Sequence, residues 1–464
     1  MKTATIFLAW FILCSFLLMP AVAAAGSTGD ARWSDVSMTA ETLKPIGRAV
    51  FETESITLEW GMTGFEFAFK GKAARVMLTS DDRDDTYCTH VAVYVNGERT
   101  EKIRVKNGSE WYTLAEGLDP AKTTTVRLVK LNEAMLSTCW VDGLQVDGTM
   151  LPRPADKPFK LEVIGDSISA AFGLLSNTLT SEGEDGAYTY GSLIAEELGM
   201  DLSTVAASGY GIYMNNGGTT TETMSHLYDM AQPVLNKRLA WDHSRYHPDL
   251  ILVGLGTNDM AANAPAEQVA AAVTAFIRRL KTLHPDAQIL WAFGLMGVGE
   301  LSDPIRQAVE AEDNGSGTVR YVELPNQTTY GGGTGAAGHP NRRSHFRTAE
   351  FLLPLVKEML GIQDGATTET TTTTTAGTTT KKPTSATATG GTTATTSQAE
   401  GTTTSQTGTT TVPEAGTTTT TAPADPTETK PSDSKGWLIA GAVAAGLLLA
   451  GGAVWAFLRK KKKP

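Results

Sequence analysis

Residues 161–168 read LEVIGDSI, and this stretch decides the fold class of the chain. A short run that is rich in apolar and β-branched residues predicts a buried strand. Gly165 permits a tight turn directly after it, so Ser167 stands at the carboxyl end of the strand. Open α/β sheets carry their chemistry at that end. Strand ends also carry Gly, Asp and Ser simply because turns need them, so the tripeptide alone indicates a catalytic serine only weakly.

Three further segments complete a set of candidate catalytic groups. Residues 207–211 (ASGYG) follow an apolar stretch, and their two glycines let backbone N–H groups approach a ligand closely. Residues 248–259 (PDLILVGLGTND) predict another buried strand, with the amide of Asn258 in the turn at its end. Residues 338–340 (GHP) place His339 before a predicted helix at about 344–360. A nucleophile, backbone donors, an amide and a base are the groups that acyl transfer through an oxyanion hole requires.

The four segments resemble the signature blocks of the SGNH (GDS-type) hydrolase superfamily, and the resemblance covers about residues 159–360. Residues 241–249 (WDHSRYHPD) and 208–216 (SGYGIYMNN) are similar in particular to carbohydrate esterase family 2. That family pairs a small N-terminal β-jelly-roll domain with the hydrolase domain, and it removes acetyl groups from plant polysaccharides.

The resemblance implies a role for each signature residue. Ser167 is the nucleophile and His339 is the base. The oxyanion hole consists of the backbone N–H groups of Ser167 and Gly209 and the side-chain amide of Asn258, with Gly211 as the alternative to Gly209. An imidazole suits the role of the base because its pKa lies near the working pH. No cofactor is expected, and no Cys/His cluster indicates a metal site.

The sequence departs from the superfamily pattern beside the histidine. The superfamily usually has an aspartate two or three residues before it, where this chain has Ala337 and Ala336. We therefore expect a Ser-His dyad in which a backbone carbonyl orients the imidazole, as in some members of family 2. The family commonly has an aromatic residue at the position of Gly338, so the glycan preference is expected to differ.

Two globular domains are predicted. Residues 32–150 show short alternating strands at about 55–60, 65–69, 91–95, 125–131 and 140–146, and the pair Asn96-Gly97 predicts a hairpin turn. This pattern predicts a β-sandwich, and the resemblance implies a jelly roll. Three prolines at 152, 154 and 158 indicate the boundary.

In residues 158–362, strands alternate with helices, among them predicted helices at 189–200 and 266–284. The alternation predicts a parallel sheet that is covered on both faces. The expected fold is therefore a flavodoxin-like, three-layer α/β/α sandwich of the SGNH type, preceded by the small all-β domain.

The remaining segments predict export and a membrane anchor. Residues 1–25 predict a signal peptide, and residues 365–435 predict a disordered, Thr-rich stalk. Residues 437–458 are apolar and long enough to span a bilayer, and the basic residues of 459–464 should stay on the cytoplasmic side. The expected location of the catalytic domain is therefore outside the cell, tethered by a C-terminal membrane helix.

Charge and cysteines limit the partners and the chemistry. The net charge of −11 argues against a nucleic-acid partner. Cys88 and Cys139 lie in a predicted exported domain, where they form either a disulfide or two buried thiols. The sequence predicts no oligomeric state.

The predicted function is a polysaccharide O-acetyl esterase that acts on a substrate such as acetylated xylan or glucomannan. Three alternatives remain open at this point. They are a lipase or thioesterase on the same scaffold, a peptidoglycan O-acetyl esterase, and an inactive surface protein that binds glycans.

Overall fold

The computed structural model describes residues 32–236 and 239–363, which form an antiparallel β domain followed by an α/β domain. The predicted signal peptide, stalk, membrane helix and basic tail lie outside the described residues. No helix within the described ranges is long and apolar enough to cross a membrane.

The N-terminal domain is an antiparallel β structure of ten strands. Their bounds are β1 (Ser34–Asp35), β2 (Lys44–Ile46), β3 (Val50–Phe51), β4 (Ile56–Leu58), β5 (Gly64–Ser80), β6 (Thr89–Val95), β7 (Glu98–Val105), β8 (Glu110–Ala115), β9 (Thr124–Lys130) and β10 (Cys139–Met150). The hydrogen-bonded order is β3-β4-β10-β5-β9-β6-β7, while β1 pairs with β10, and β2 and β8 pair with β5.

The long strand β5 changes, at Gly71, which of its two faces is buried in the core. Odd-numbered side chains of 65–69 are buried before Gly71, and even-numbered ones of 74–78 are buried after it. The pairing with β10 shifts register between Asp147 and Gly148, opposite this point. A Cβ on Gly71 would lie 2.3 Å from the Asp147 carbonyl oxygen, so only glycine fits where the two strands cross.

The predicted hairpin is confirmed. Strands β6 and β7 pair antiparallel with Val95 opposite Glu98, which leaves Asn96 and Gly97 as the two-residue turn. Their φ angles are +52° and +87°, the left-handed backbone that this turn type requires.

The C-terminal domain contains five parallel strands and six helices. The strands are β11 (Lys160–Gly165), β12 (Asp201–Ala206), β13 (Leu250–Gly254), β14 (Gln288–Phe293) and β15 (Val319–Glu323). The helices are α1 (Tyr190–Glu197), α2 (Met224–Leu227), α3 (Thr257–Ala261), α4 (Ala266–Leu283), α5 (Ser302–Asp313) and α6 (Arg342–Leu360). The strand order β12-β11-β13-β14-β15 is the flavodoxin-like order, which confirms the expected fold class.

Helices cover both faces of the parallel sheet. Leu161 and Val163 of β11 pack in one cluster with residues of α1 and α6, whereas Ile164 packs in another with residues of α4 and α5. The apolar stripe that the sequence predicts on α4, from Val269 to Leu280, is buried in the second cluster. Helix α5 was not predicted.

The two domains share part of their core. Trp60 and Ala134 of the N-terminal domain are buried in the same cluster as Val205 and Ile251 of the parallel sheet. The Trp60 indole N–H also donates to the Met230 carbonyl oxygen at 3.2 Å. The N-terminal domain is therefore packed into the α/β domain through buried apolar side chains.

The two cysteines are free and buried, so a disulfide is the wrong alternative of the two. Cys88 precedes β6 and its Sγ lies 3.9 Å from the Asp85 carbonyl oxygen, while Cys139 opens β10 with its Sγ 3.9 Å from the Trp140 carbonyl oxygen. Burial raises the pKa of Cys139 to about 12, which keeps the thiol protonated and unreactive.

Candidate active site

Ser167 lies two residues beyond the carboxyl end of β11 and is 6% exposed. The turn that carries it is fixed by its own hydrogen bonds. The Oδ1 atom of Asp166 accepts the Ile168 N–H at 3.0 Å, and the Ser167 carbonyl accepts the Phe172 N–H at 3.0 Å. Asp166 therefore holds the turn that carries the nucleophile.

His339 meets this serine although the two residues are far apart in the chain. The Nε2 atom of His339 lies 2.8 Å from the Oγ atom of Ser167. The Phe172 ring packs against the imidazole with 4.6 Å between ring centroids. The structure thus brings the predicted nucleophile and base within hydrogen-bond distance, the geometry that proton transfer requires.

The loop that carries His339 is attached to the turn that carries Ser167. A short 3-10 turn, Ala336–Gly338, precedes the histidine. The Ala336 N–H donates to the Gly173 carbonyl at 3.1 Å, and the Gln327 side-chain amide donates to the Gly338 carbonyl at 2.8 Å. These contacts hold the base in place relative to the nucleophile.

The other ring nitrogen of His339 has an unusual environment. Nδ1 is buried, and no hydrogen-bond partner for it is found in the part of the chain that the structure describes. Burial lowers the pKa of His339 to about 4, against the opposing influence of the Ala337 and Ala336 carbonyls. The imidazole is therefore neutral at neutral pH and can accept a proton. The orientation of the ring by a backbone carbonyl stays a prediction, and Ala336 and Ala337 supply the carbonyls that favour the charged ring.

The predicted oxyanion donors lie on the two sides of the nucleophile strand. Gly165 of β11 is in register with Ala206 of β12 and with Gly254 of β13. Gly209 and Asn258 follow these two flanking strands, so the sheet places one donor on each side of the Ser167 turn.

Gly209 fits the oxyanion role better than its alternative, Gly211. The Gly211 N–H donates to the Oδ1 atom of Asn215 at 3.1 Å, and a Cβ on Gly211 would lie 2.0 Å from the Met214 carbonyl oxygen. Gly211 is thus packed inside the loop. Gly209 has φ +85° and would present a Cβ to open space.

Asn258 and Asp259, both in α3, form hydrogen bonds with the loop that carries Gly209. The Asn258 amide donates to the Tyr210 carbonyl at 2.9 Å. A primary amide has two N–H groups, so it can bind this carbonyl and a substrate oxygen together. The Asp259 carboxylate accepts the N–H groups of Ile212, Tyr213 and Met214 at 2.8–2.9 Å.

Asp166 and Asp259 are buried carboxyls with raised pKa values. Burial raises the pKa of Asp166 to about 7; the Ile168 N–H opposes this shift and the nearby Asp259 carboxylate adds to it. Burial also raises the pKa of Asp259, against its three backbone N–H donors. Both side chains accept backbone N–H groups of the loops that carry Ser167 and Gly209.

Sequence reasoning missed three residues that support this site. They are Phe172, which packs on His339, Gln327, which holds the histidine loop, and Glu133 of the N-terminal domain, whose Oε2 accepts the Ser208 N–H at 2.7 Å. None belongs to a motif, and Glu133 lies in a different domain, so only the folded chain reveals them.

The remaining histidines do not join the site. His345 lies in the first turn of α6 and is buried, and its Nδ1 accepts the Tyr190 N–H at 3.2 Å. Across residues 32–236 and 239–363, no group of three or more His, Cys, Asp or Glu side chains could hold a metal ion.

A cleft of about 740 Å³ lies between the domains, away from the serine. It is lined by the first residues of β11 and β12, Lys160 and Asp201, and therefore opens at the amino ends of the strands. Its lining does not include Ser167 or His339.

The fold and the site together resemble those of GDS-type hydrolases. Residues 163–324 match the GDSL-like Lipase/Acylhydrolase family, a range that includes Ser167, Gly209 and Asn258 and ends before His339. Residues 45–154 match the family described as Carbohydrate esterase 2 N-terminal. In this pairing of two domains the chain is similar to the family 2 carbohydrate esterases.

Named relatives agree with this placement. The cellulase/esterase CelE of Acetivibrio thermocellus is 30% identical over 291 residues, which are 56% of this chain and 35% of that protein. The chain thus spans about a third of the length of that relative. An acetylxylan esterase / glucomannan deacetylase of Cellvibrio japonicus is 25% identical over 354 residues, 70% of this chain and 94% of that protein.

A solved structure extends the likeness to three dimensions. A family two carbohydrate esterase from Clostridium thermocellum in complex with cellohexaose is similar, with a TM-score of 0.63 and 27% identity. The match covers 69% of this chain and all of that one.

Proposed function

We propose that this chain is an O-acetyl esterase that removes acetyl groups from a polysaccharide such as xylan or glucomannan. The contact between the Oγ atom of Ser167 and the Nε2 atom of His339 is the observation that carries the proposal. The class of substrate is supported by the relative named acetylxylan esterase / glucomannan deacetylase.

The reaction begins with a Ser-His dyad. Nε2 of His339 takes the proton of the Ser167 hydroxyl as Oγ attacks the acetyl carbonyl carbon. The oxyanion that forms accepts hydrogen bonds from the backbone N–H groups of Ser167 and Gly209 and from the Asn258 amide. The ester C–O bond then breaks, and His339 returns the proton to the leaving sugar oxygen.

A second half-reaction frees the enzyme. His339 removes a proton from water, the resulting hydroxide attacks the acetyl-serine, and acetate leaves as Ser167 regains its proton. The chain has alanines where the superfamily has its aspartate, so no carboxylate from this loop stabilises the imidazolium. Only the Ala336 and Ala337 carbonyls favour the charged ring there.

Acetate release by the purified protein tests this proposal. The substrates are acetylated xylan, acetylated glucomannan and 4-nitrophenyl acetate, and Ser167→Ala is the control. We expect release that the substitution abolishes. A series of 4-nitrophenyl esters with longer acyl chains separates an acetyl esterase from a lipase, because a lipase would prefer the long chains. No Ser167-dependent release from any ester would contradict the proposal.

The proposed location is the outer face of the cell membrane. It rests on the sequence pattern of residues 1–25, 437–458 and 459–464, which predicts export followed by a stop in the bilayer. Fractionation of cells that express the full chain tests it. The esterase should sediment with membranes, and deletion of residues 437–464 should release it into the medium. Activity confined to the cytoplasm would contradict the location.

A further inference from the structure

The loop that carries Gly209, residues 207–214, is called the oxyanion loop below. The N-terminal domain contacts it through the segment between β9 and β10. Asn132 of this segment donates from its side-chain amide to the Ser181 carbonyl, and Ala134 is buried beside Val205 and Ala207 of the α/β domain. Glu133 lies between them and is 1% exposed. The segment is therefore held firmly on both sides of this glutamate.

The Glu133 carboxyl accepts the Ser208 N–H at 2.7 Å. Glu133 is itself fixed through its backbone, because its N–H donates to Oε2 of Glu184 at 3.2 Å and its carbonyl accepts from the Lys130 ammonium at 3.1 Å. A carboxyl that is anchored in this way sets the orientation of the peptide group that it binds.

The next peptide group along the chain is the one that carries the Gly209 N–H. The loop is then held at two places, by Glu133 at the Ser208 N–H and by Asp259 at the N–H groups of residues 212–214. Gly209 lies between the two carboxyls with φ +85°. An oxyanion hole works only when its donors are oriented before the charge develops, and a glycine cannot hold such an orientation by itself.

We infer that Glu133, a residue of the N-terminal domain, is a positioning residue for the oxyanion hole, because it holds the Ser208 N–H and so aims the Gly209 N–H at the reacting carbonyl. The inference rests on the proposed esterase function. It assigns the N-terminal domain a part in the reaction through one backbone hydrogen bond.

Glu133 lies close to the position of the developing anion, and burial disfavours a charge on its carboxyl. Burial raises the pKa of Glu133, and burial together with Glu133 raises the pKa of Glu184. A protonated carboxyl still accepts the Ser208 N–H through its carbonyl oxygen. A neutral amide of the same shape should therefore replace it.

Two substitutions separate the hydrogen bond from packing. Glu133→Gln keeps an acceptor oxygen, whereas Glu133→Met keeps the volume but has no oxygen. With 4-nitrophenyl acetate we expect Glu133→Met to lower kcat about 10- to 100-fold and to leave KM within about threefold. Glu133→Gln should restore most of the loss. Hydrogen exchange of residues 207–213 should speed up in Glu133→Met and stay slow in Glu133→Gln.

Glu59 provides a matched control. It is also a buried glutamate of the N-terminal domain, and it accepts the N–H groups of Val234 and Leu235, which lie outside the oxyanion loop. Glu59→Met should lower the melting temperature as Glu133→Met does, without the loss of kcat. An equal loss of kcat in both variants would mean that destabilisation alone is responsible, and would overturn the inference.

The other outcomes are equally decisive. A folded Glu133→Met with the kcat of the wild type, or a Glu133→Gln as slow as Glu133→Met, would overturn the inference.

If Glu133→Met does not fold, Glu133→Asp takes its place, and its shorter side chain should give a lower kcat than Glu133→Gln. Equal kcat values for those two would refute the positioning role. A wild type without Ser167-dependent hydrolysis refutes the esterase function instead, and hydrogen exchange still tests whether Glu133 orders the loop.

Discussion

Arg48 of the N-terminal domain donates from Nη2 to Oε1 of Glu162 in β11 at 3.2 Å, with both side chains buried. Arg48 also donates to the Met230 carbonyl at 3.3 Å and lies 4.7 Å from the centroid of the Tyr228 ring. The Tyr228 hydroxyl donates to the other Glu162 oxygen at 2.7 Å. The strand that carries the nucleophile turn is thus joined to the N-terminal domain by a buried ion pair.

Removal of one partner of this pair should be costly. Arg48→Met leaves the buried Glu162 side chain without its ion-pair partner and should lower the free energy of unfolding by about 3–5 kcal/mol. The double variant Arg48→Met with Glu162→Gln should recover much of that loss, because no uncompensated charge remains. Urea unfolding of the wild type, both single variants and the double variant measures the coupling. Strictly additive losses would show that the two side chains act independently.

Activity should depend on pH through His339. The base works in its neutral form, and burial lowers its pKa to about 4. The profile of kcat/KM should therefore fall as the pH drops through about 4, and it should be flat from about 5.5 to about 8. Initial rates of acetate release across this range measure it. An acid limb near the usual imidazole pKa of about 6.5 would show that the ring is better solvated than the structure indicates.

The Asn258 amide should act on the barrier more than on substrate binding. Asn258→Ala removes an oxyanion donor, so kcat should fall about 10²- to 10³-fold while KM changes little. The amide also holds the Tyr210 carbonyl, so melting temperatures must be compared to separate loop disorder from lost catalysis. A large rise in KM with an unchanged kcat would instead assign Asn258 to binding of the ground state.

The aspartate that the superfamily has before its histidine should be harder to introduce at Ala336 than at Ala337. Ala336 is fully buried and packs closely against Gly173. A Cβ added to Gly173 would lie only 2.6 Å from the Ala336 Cβ. Ala336→Asp should therefore destabilise the protein by at least about 2 kcal/mol. Ala337 is exposed and has φ +50°, a backbone that aspartate tolerates. Ala337→Asp should fold normally, and thermal melts of both variants provide the comparison.

The site could be predicted only as far as its motifs extend. Ser167 and His339 were found because each stands in a recognisable block, and the structure places them 2.8 Å apart. Gly209 was preferred to Gly211 from the sequence, and the Asn215 contact of Gly211, which favours the same choice, is a property of the folded loop. Glu133 carries no motif at all, and its contact with Ser208 joins residues that are 75 positions apart.

The environment of His339 was equally beyond sequence reasoning. The sequence showed that no aspartate precedes it, and an orienting carbonyl was expected. Among the described residues no partner within hydrogen-bond criteria is found for the buried Nδ1, the Ala337 and Ala336 carbonyls favour the charged ring, and burial lowers its pKa. Burial depends on Phe172 and on the packing of the histidine loop, which are contacts between distant segments.

Local pattern by itself determined the alternation of strands and helices in the second domain, the Asn96-Gly97 hairpin and the position of Ser167 at a strand end, because periodicity and turn chemistry act over a few residues. Only the tertiary structure decided that Cys88 and Cys139 stay apart as free thiols. It also decided that the N-terminal domain docks through Arg48 and supports the oxyanion loop through Glu133. These outcomes depend on which distant side chains exclude water from one another, and no local pattern in the chain encodes that.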